Sequence, residues 1–173
     1  MDIVNIVVSS SLNQIVNLEE MRDRLDNFDY NLEKYHGGYL HLGDQIVTIY
    51  RSGKYIIPGV KSFDKLLPLY DEMKLSLSQF LDVTIIRPPE IRNIVASDQL
   101  NTVQNLHDLC IRMFEIGVSP DYEPETFPGL ILKLKCGTIN LFSSGKYILL
   151  GAKSENELVN LKRQFIELLD SLG

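Results

Sequence analysis

The residues that could do chemistry in this chain come in pairs. Lys54 lies in Ser52-Gly53-Lys54-Tyr55-Ile56, and Lys146 in Ser144-Gly145-Lys146-Tyr147-Ile148. Gly59-Val60-Lys61-Ser62 returns as Gly151-Ala152-Lys153-Ser154, and Tyr30-x-x-Glu33-x-Tyr35 as Tyr122-x-x-Glu125-x-Phe127. At a slightly shorter offset, Asn5-Ile6-Val7 matches Asn93-Ile94-Val95. Paired lysines beside paired aromatics suit a phosphate backbone and a stacking surface. Neither Gly-Lys pair has the Gly-x4-Gly-Lys-Ser/Thr spacing of a phosphate loop. His36, His41 and His107 form no metal-ligand pattern with Cys110 or Cys136, and no Ser/His/Asp set stands out. The sequence therefore predicts no enzyme, no cofactor and no metal.

Charge follows the same duplication. Tyr30 to Lys61 holds four basic residues against two acids, and so does Tyr122 to Lys153, although the whole chain carries −6. The acids concentrate outside the repeated cores. A cationic face with an acidic back can hold a polyanion, whereas the net charge argues against a generally sticky nucleic-acid binder.

Self-similarity at a long fixed period marks a structural unit used twice, and two copies are too few for a solenoid. At 173 residues the expectation is a single domain with pseudo-two-fold symmetry, its repeats at 1–86 and 87–173. Such symmetry suits a ligand that is itself nearly two-fold, as duplex DNA is. Each repeat reads as strand, helix, three strands, helix. The opening strands are expected at Ile3–Ser9 and Ile91–Ser97. Leu18, Met21 and Leu25 form one helical face, with Asn17 as N-cap; Leu106, Leu109, Cys110 and Met113 form its counterpart. Three extended runs follow in each copy, 39–42, 45–50 and 54–57, then 130–135, 138–142 and 146–150, with tight turns at Gly43-Asp44 and Gly137-Thr138. A long amphipathic helix closes each repeat. The second carries Leu158, Leu161, Phe165, Leu168, Leu169 and Leu172 behind a Ser154/Glu157 capping box. The first runs from Leu66 to Phe80, and Pro68 should kink it or delay its start.

No apolar run reaches the roughly 18 residues of a membrane span, and the N-terminus lacks a signal-peptide layout. With two cysteines and no CxxC pair, a reducing intracellular compartment is the expectation: nuclear in a eukaryote, cytoplasmic in an archaeon or a viral factory. Two joined half-sheets with helices on one side would leave a large sheet face open, which is unusual unless something binds it.

The chain resembles the TATA-binding protein family over essentially its whole length. The specific part is Tyr122-Glu123-Pro124-Glu125-Thr126-Phe127-Pro128-Gly129-Leu130-Ile131, with Phe142-Ser143-Ser144-Gly145-Lys146 and Gly151-Ala152-Lys153. The resemblance implies an α+β saddle: a ten-stranded antiparallel sheet whose concave face enters the minor groove and whose helices face outward. It implies four aromatic wedges, Tyr35 and Tyr50 in one copy and Phe127 and Phe142 in the other, that unstack base steps and kink the duplex. Asn5 and Asn93 match the family's central asparagines, whose amide donates to the acceptors shared by both A·T orientations. Val7, Val95, Ile56 and Ile148 match positions that press on sugars and base edges. Lys54, Lys61, Lys146 and Lys153 complete the DNA face.

This chain also departs from the family. Tyrosines replace phenylalanine in the first copy and must find hydroxyl partners. Thr48 and Asn140 stand where the family has leucine, Pro58 and Leu150 where it has threonine, and His41 and Lys133 where it has a phosphate-binding arginine. Glu123 and Glu125 keep the acidic segment that the family offers to transcription factor B. The partners implied are A·T-rich double-stranded DNA, a transcription factor B-like protein, the RNA polymerase machinery and, when DNA is absent, a second copy of the chain. No membrane partner is expected. Two other classes stay open: an interaction module that kept the saddle but lost standard TATA binding, and an accessory domain of an enzyme, against which the lack of any catalytic segment after the closing helix counts.

Overall fold

Strict alternation makes each half a sheet with one buried face. In Gln45–Tyr50, Val47 and Ile49 are buried while Thr48 and Tyr50 stay half-exposed; in Gly137–Leu141, Ile139 and Leu141 are buried while Thr138 and Asn140 are not. A computed structural model describes residues 1–173. The order is β1 (Asp2–Ser11), α1 (Leu18–Arg24), β2 (Phe28–Asp29), β3 (Gly37–Leu42), β4 (Gln45–Tyr50), β5 (Lys54–Val60), α2 (Leu66–Leu77), β6 (Glu90–Gln99), α3 (Leu106–Glu115), β7 (Leu130–Leu134), β8 (Gly137–Leu141), β9 (Lys146–Ala152) and α4 (Glu155–Ser171). The chain divides into two compact units, Asn5–Arg92, and Asn93–Gly173 together with Met1–Val4.

In the first unit the strands run β2-β3-β4-β5-β1, every neighbouring pair antiparallel. In the second they run β6-β9-β8-β7, again antiparallel. The tenth strand is not formed: the counterpart of β2 is reduced to one bridge between Asp121 and Ile131. Pro120 and Pro124 flank that bridge, and each removes a donor and restricts the residue before it. The second hairpin also turns earlier than expected. Leu134 pairs with Gly137, so the two-residue turn is Lys135-Cys136 and Gly137 already lies in the strand.

The repeated Gly-x-Lys-Ser motifs find their reason at a β-bulge. The β1–β5 register shifts between Ile6 and Val8, and the β6–β9 register between Ile94 and Val95. Gly59 and Gly151 sit there with φ of 75° and 93°, a conformation that favours glycine. Pro58 is tolerated at the first bulge because it is left out of the β1–β5 pairing, so its missing N–H costs the ladder nothing.

Helices cover one face of each sheet. In the first unit Leu18 and Met21 of α1 and Tyr70, Met73 and Leu77 of α2 are buried. In the second, Leu106, Leu109 and Met113 of α3 join Leu158, Leu161 and Phe165 of α4, and Phe165 packs on Tyr147 with ring centres 4.9 Å apart. Asn17 caps α1 by accepting from Glu20 N–H at 3.0 Å, and Ser154 caps α4 by accepting from Glu157 N–H at 3.1 Å. Pro68 causes no kink: it falls in the first turn of α2, where its missing N–H has no intrahelical partner to lose. That helix ends at Leu77, short of the expected Phe80. No helix is long and apolar enough to cross a membrane.

Candidate nucleic-acid interface

The uncovered face of each sheet is built from side chains that alternate away from the helices. In the first unit one row crosses the strands through Ser9, Ile56, Thr48 and Tyr39, each directly opposite the next. In the second the same row reads Ser97, Ile148, Asn140 and Ile131. Thr48 and Asn140 thus hold equivalent places, both half-exposed. Asn5 and Val7 on β1, and Asn93 and Val95 on β6, are half-buried on this same face. Lys54 and Lys146 are exposed at the starts of β5 and β9, and Lys61 and Lys153 are exposed just beyond the bulges. Pro58 is exposed and Leu150 half-exposed at the bulges themselves.

The four aromatics form two edge-to-face pairs. Phe127 and Phe142 have ring centres 5.7 Å apart at 63°; Tyr35 and Tyr50 lie 6.1 Å apart at 68°. All four are half-exposed. The first pair is joined by other rings. Tyr39 stacks on Tyr35 at 5.9 Å, and His36 lies 4.5 Å from Tyr35 and 5.4 Å from Tyr50. A groove of about 600 Å³ opens beside Tyr50, lined also by Tyr30, Leu32, His36, Arg51, Lys54 and Ile56. The tyrosine hydroxyls meet each other at 2.6 Å, and that bond, aided by burial, pushes the Tyr50 hydroxyl up to about 12.

Two glycines give these pairs their bed: Gly37, and Gly129, which lies within the family-like segment but to which its spacing assigned no role. A Cβ on Gly129 would lie 2.7 Å from Phe127 and 3.1 Å from Phe142; one on Gly37 would lie 3.0 Å from Tyr35 and 3.1 Å from Tyr50. The signal was present as the glycine two residues after the first aromatic in each copy, Tyr35-His36-Gly37 and Phe127-Pro128-Gly129.

The two halves differ in how their polar groups are held. His41 Nε2 lies 2.8 Å from Asp29 Oδ2, whereas Lys133 at the matching place is exposed with no carboxylate partner. Asn93 Oδ1 accepts from the Gly151 N–H at 2.9 Å, while the Asn5 Oδ1 is buried without a partner. Glu123 and Glu125 are exposed in the turn leading into Phe127, and the Glu123 carbonyl accepts from the N–H groups of both Thr126 and Phe127 at 2.9 Å. No group of three or more His, Cys, Asp or Glu side chains could hold a metal ion.

Comparison with known proteins agrees with this arrangement. Residues 1–80 and 88–172 match the family described as transcription factor TFIID (or TATA-binding protein, TBP). The chain is 34% identical over 177 residues to the TATA-box-binding protein of Pyrococcus furiosus, covering 99% of this chain and 90% of that one. It is 32% identical over 176 residues to the TATA-box-binding protein of Sulfolobus acidocaldarius, covering 99% and 87%. Among solved structures it superimposes on Methanococcus jannaschii TBP with a TM-score of 0.80 at 28% identity, covering 98% of both chains. With duplicated sheets, duplicated aromatic pairs and matches over nearly its full length, the chain belongs to the TATA-binding protein family.

Proposed function

We propose that this protein is a general transcription factor that binds A·T-rich promoter DNA through the minor groove and bends it. The observation that carries the reading is the pair of half-exposed aromatics at the same place in each unit, Tyr35 with Tyr50 and Phe127 with Phe142. A ring that is already half-exposed at the end of a strand or in the turn beside it can enter a base step without first leaving a core, so the protein contributes little reorganisation to the kink. Asn5 and Asn93 read the acceptors common to A·T and T·A pairs, while Lys54, Lys61, Lys133, Lys146 and Lys153 neutralise phosphates. The repeats at 1–86 and 87–173 each supply one such set. Glu123 and Glu125 offer carboxylates to a transcription factor B-like protein, through which RNA polymerase is recruited. A second copy of the chain shields the apolar sheet face when DNA is absent.

The test is a fluorescence-transfer assay on duplexes labelled at both ends, A·T-rich and G·C-rich. The expected result is A·T-selective shortening of the end-to-end distance that disappears in Phe127→Ala with Phe142→Ala. An unchanged distance on every duplex, even with transcription factor B added, would move the protein to the class of saddle-shaped interaction modules. Thr48 and Asn140, polar where the family has leucine, are what keeps that second reading alive.

A further inference from the structure

The two central asparagines are set up differently. Asn93 Oδ1 accepts from the Gly151 N–H at 2.9 Å. Gly151 can aim that N–H off the ladder because it is the bulge residue, with φ of 93° and a register shift opposite it. A carboxamide is planar and has one acceptor end and one donor end. Anchoring the oxygen therefore commits the Nδ2 donor to the other side, toward the sheet's uncovered face. In the first unit the bulge carries Gly59 with φ of 75° and Pro58 in place of Leu150, and the Asn5 Oδ1 is buried with no partner. An unmet buried acceptor is costly, and Asn5 lacks the backbone N–H that fixes the oxygen end of Asn93.

We infer that Gly151 is a positioning residue for base recognition: its N–H locks Asn93 as a hydrogen-bond donor, while Asn5 is free to present either end of its carboxamide. This rests on the minor-groove reading above. A locked donor fits the acceptors of A·T and T·A pairs and meets the G N2 amino group of a G·C pair donor to donor. A carboxamide that can turn offers its oxygen to that amino group instead. The base pair under Asn93 is then read strictly for A·T, and the one under Asn5 loosely.

The experiment uses the full chain with Cys110→Ser and an iron chelate on Cys136, so that strand cleavage reports which half of a bound A·T-rich duplex lies under the second unit. Single G·C and inosine·C pairs are placed in turn at each central position. The expected result is a loss of about tenfold or more for G·C in the Asn93 half, restored by inosine·C, against about threefold or less in the Asn5 half. Replacing the Gly151 amide by an ester removes the N–H without changing any side chain, and it should bring the strict half down to the loose one while A·T affinity changes by less than about threefold. Equal G·C penalties in both halves, or a strict half indifferent to the ester, would overturn the lock and leave the DNA-binding reading standing. No binding to any of the duplexes would overturn both.

Discussion

The hydroxyls of Tyr35 and Tyr50 lie 2.6 Å apart, so each supplies the partner that the other needs. A tyrosine wedge is otherwise awkward, because its polar tip must be desolvated when the ring enters a base step. In this pair the two tips are turned toward one another. Tyr35→Phe or Tyr50→Phe alone strands one hydroxyl and should cost about 1 kcal/mol of folding stability. The double replacement copies the Phe127–Phe142 pair and should cost less than the sum of the two. Urea unfolding of the four proteins in a double-mutant cycle measures the coupling.

The same contact makes an alkaline prediction. The Tyr50 hydroxyl is raised to about 12 by its bond to Tyr35 and by burial, against about 10 for a free tyrosine. A raised pKa on this group means stability that is complete below pH 10 and is lost as pH climbs from about 10 to about 12. Ultraviolet titration should show a late-ionising tyrosine that moves to lower pH in Tyr35→Phe.

At the acid end the sensitive group is Asp98. Burial alone would raise its carboxyl, but the Lys162 ammonium at 2.6 Å and the Gln99 N–H at 2.9 Å outweigh that, and with the N-terminal amine they hold it at about 2. A depressed carboxylate stabilises above pH 4, and the contribution fades as pH falls from about 4 to about 2. Asp98→Asn should flatten stability across that window and weaken the fold by about 1 kcal/mol at pH 7. Thermal melts between pH 2 and pH 7 decide it.

Gly129→Ala should be more damaging than Gly37→Ala. The new methyl would lie 2.7 Å from Phe127 in one case and no closer than 3.0 Å to any atom in the other. Overpacking of this kind costs about 1–3 kcal/mol, and here it also re-aims the Phe127 ring. Gly38→Ala is a control for packing alone: its methyl would fall 2.1 Å from Phe28, a buried residue apart from the aromatic pair, so it should lower stability most.

His41 and Lys133 occupy matching places but should behave differently on DNA. Lys133 is an exposed cation, and Lys133→Ala should reduce the slope of log affinity against log salt by about 1. His41 is tied to Asp29, so His41→Ala should leave that slope nearly unchanged at pH 7. Binding measured at four or more salt concentrations separates them.

Much of this was legible in the sequence because duplication turned weak motifs into paired ones. Alternation put Tyr50 on the face of Thr48 and Phe142 on that of Asn140, whereas Tyr35 and Phe127, in the turns before β3 and β7, were legible only through the family resemblance; Asn17 and Ser154 announced their helices by capping chemistry. What stayed hidden depended on contacts between distant segments. Nothing in the spacing of His41 reveals Asp29 across the hairpin, and nothing in Asn93 reveals the N–H of Gly151. The missing tenth strand shows a different limit. Its first-copy counterpart spans only Phe28–Asp29, and two prolines suffice to remove so short an element.

That single bridge between Asp121 and Ile131 leaves β7 at the rim of its sheet with little covering it. A rim with unpaired amides is a template for unwanted strand addition. Here it is interrupted by Lys133 and ends at the Lys135-Cys136 turn, so two positive charges stand where another chain's strand would need to lie. Asp121 can part from Ile131 by breaking two backbone hydrogen bonds, which leaves the ladder and the Phe127–Phe142 pair intact. The two amides of that bridge should exchange with solvent well before those of β8, and the acidic turn can adapt to a partner without loosening the sheet that would grip the DNA.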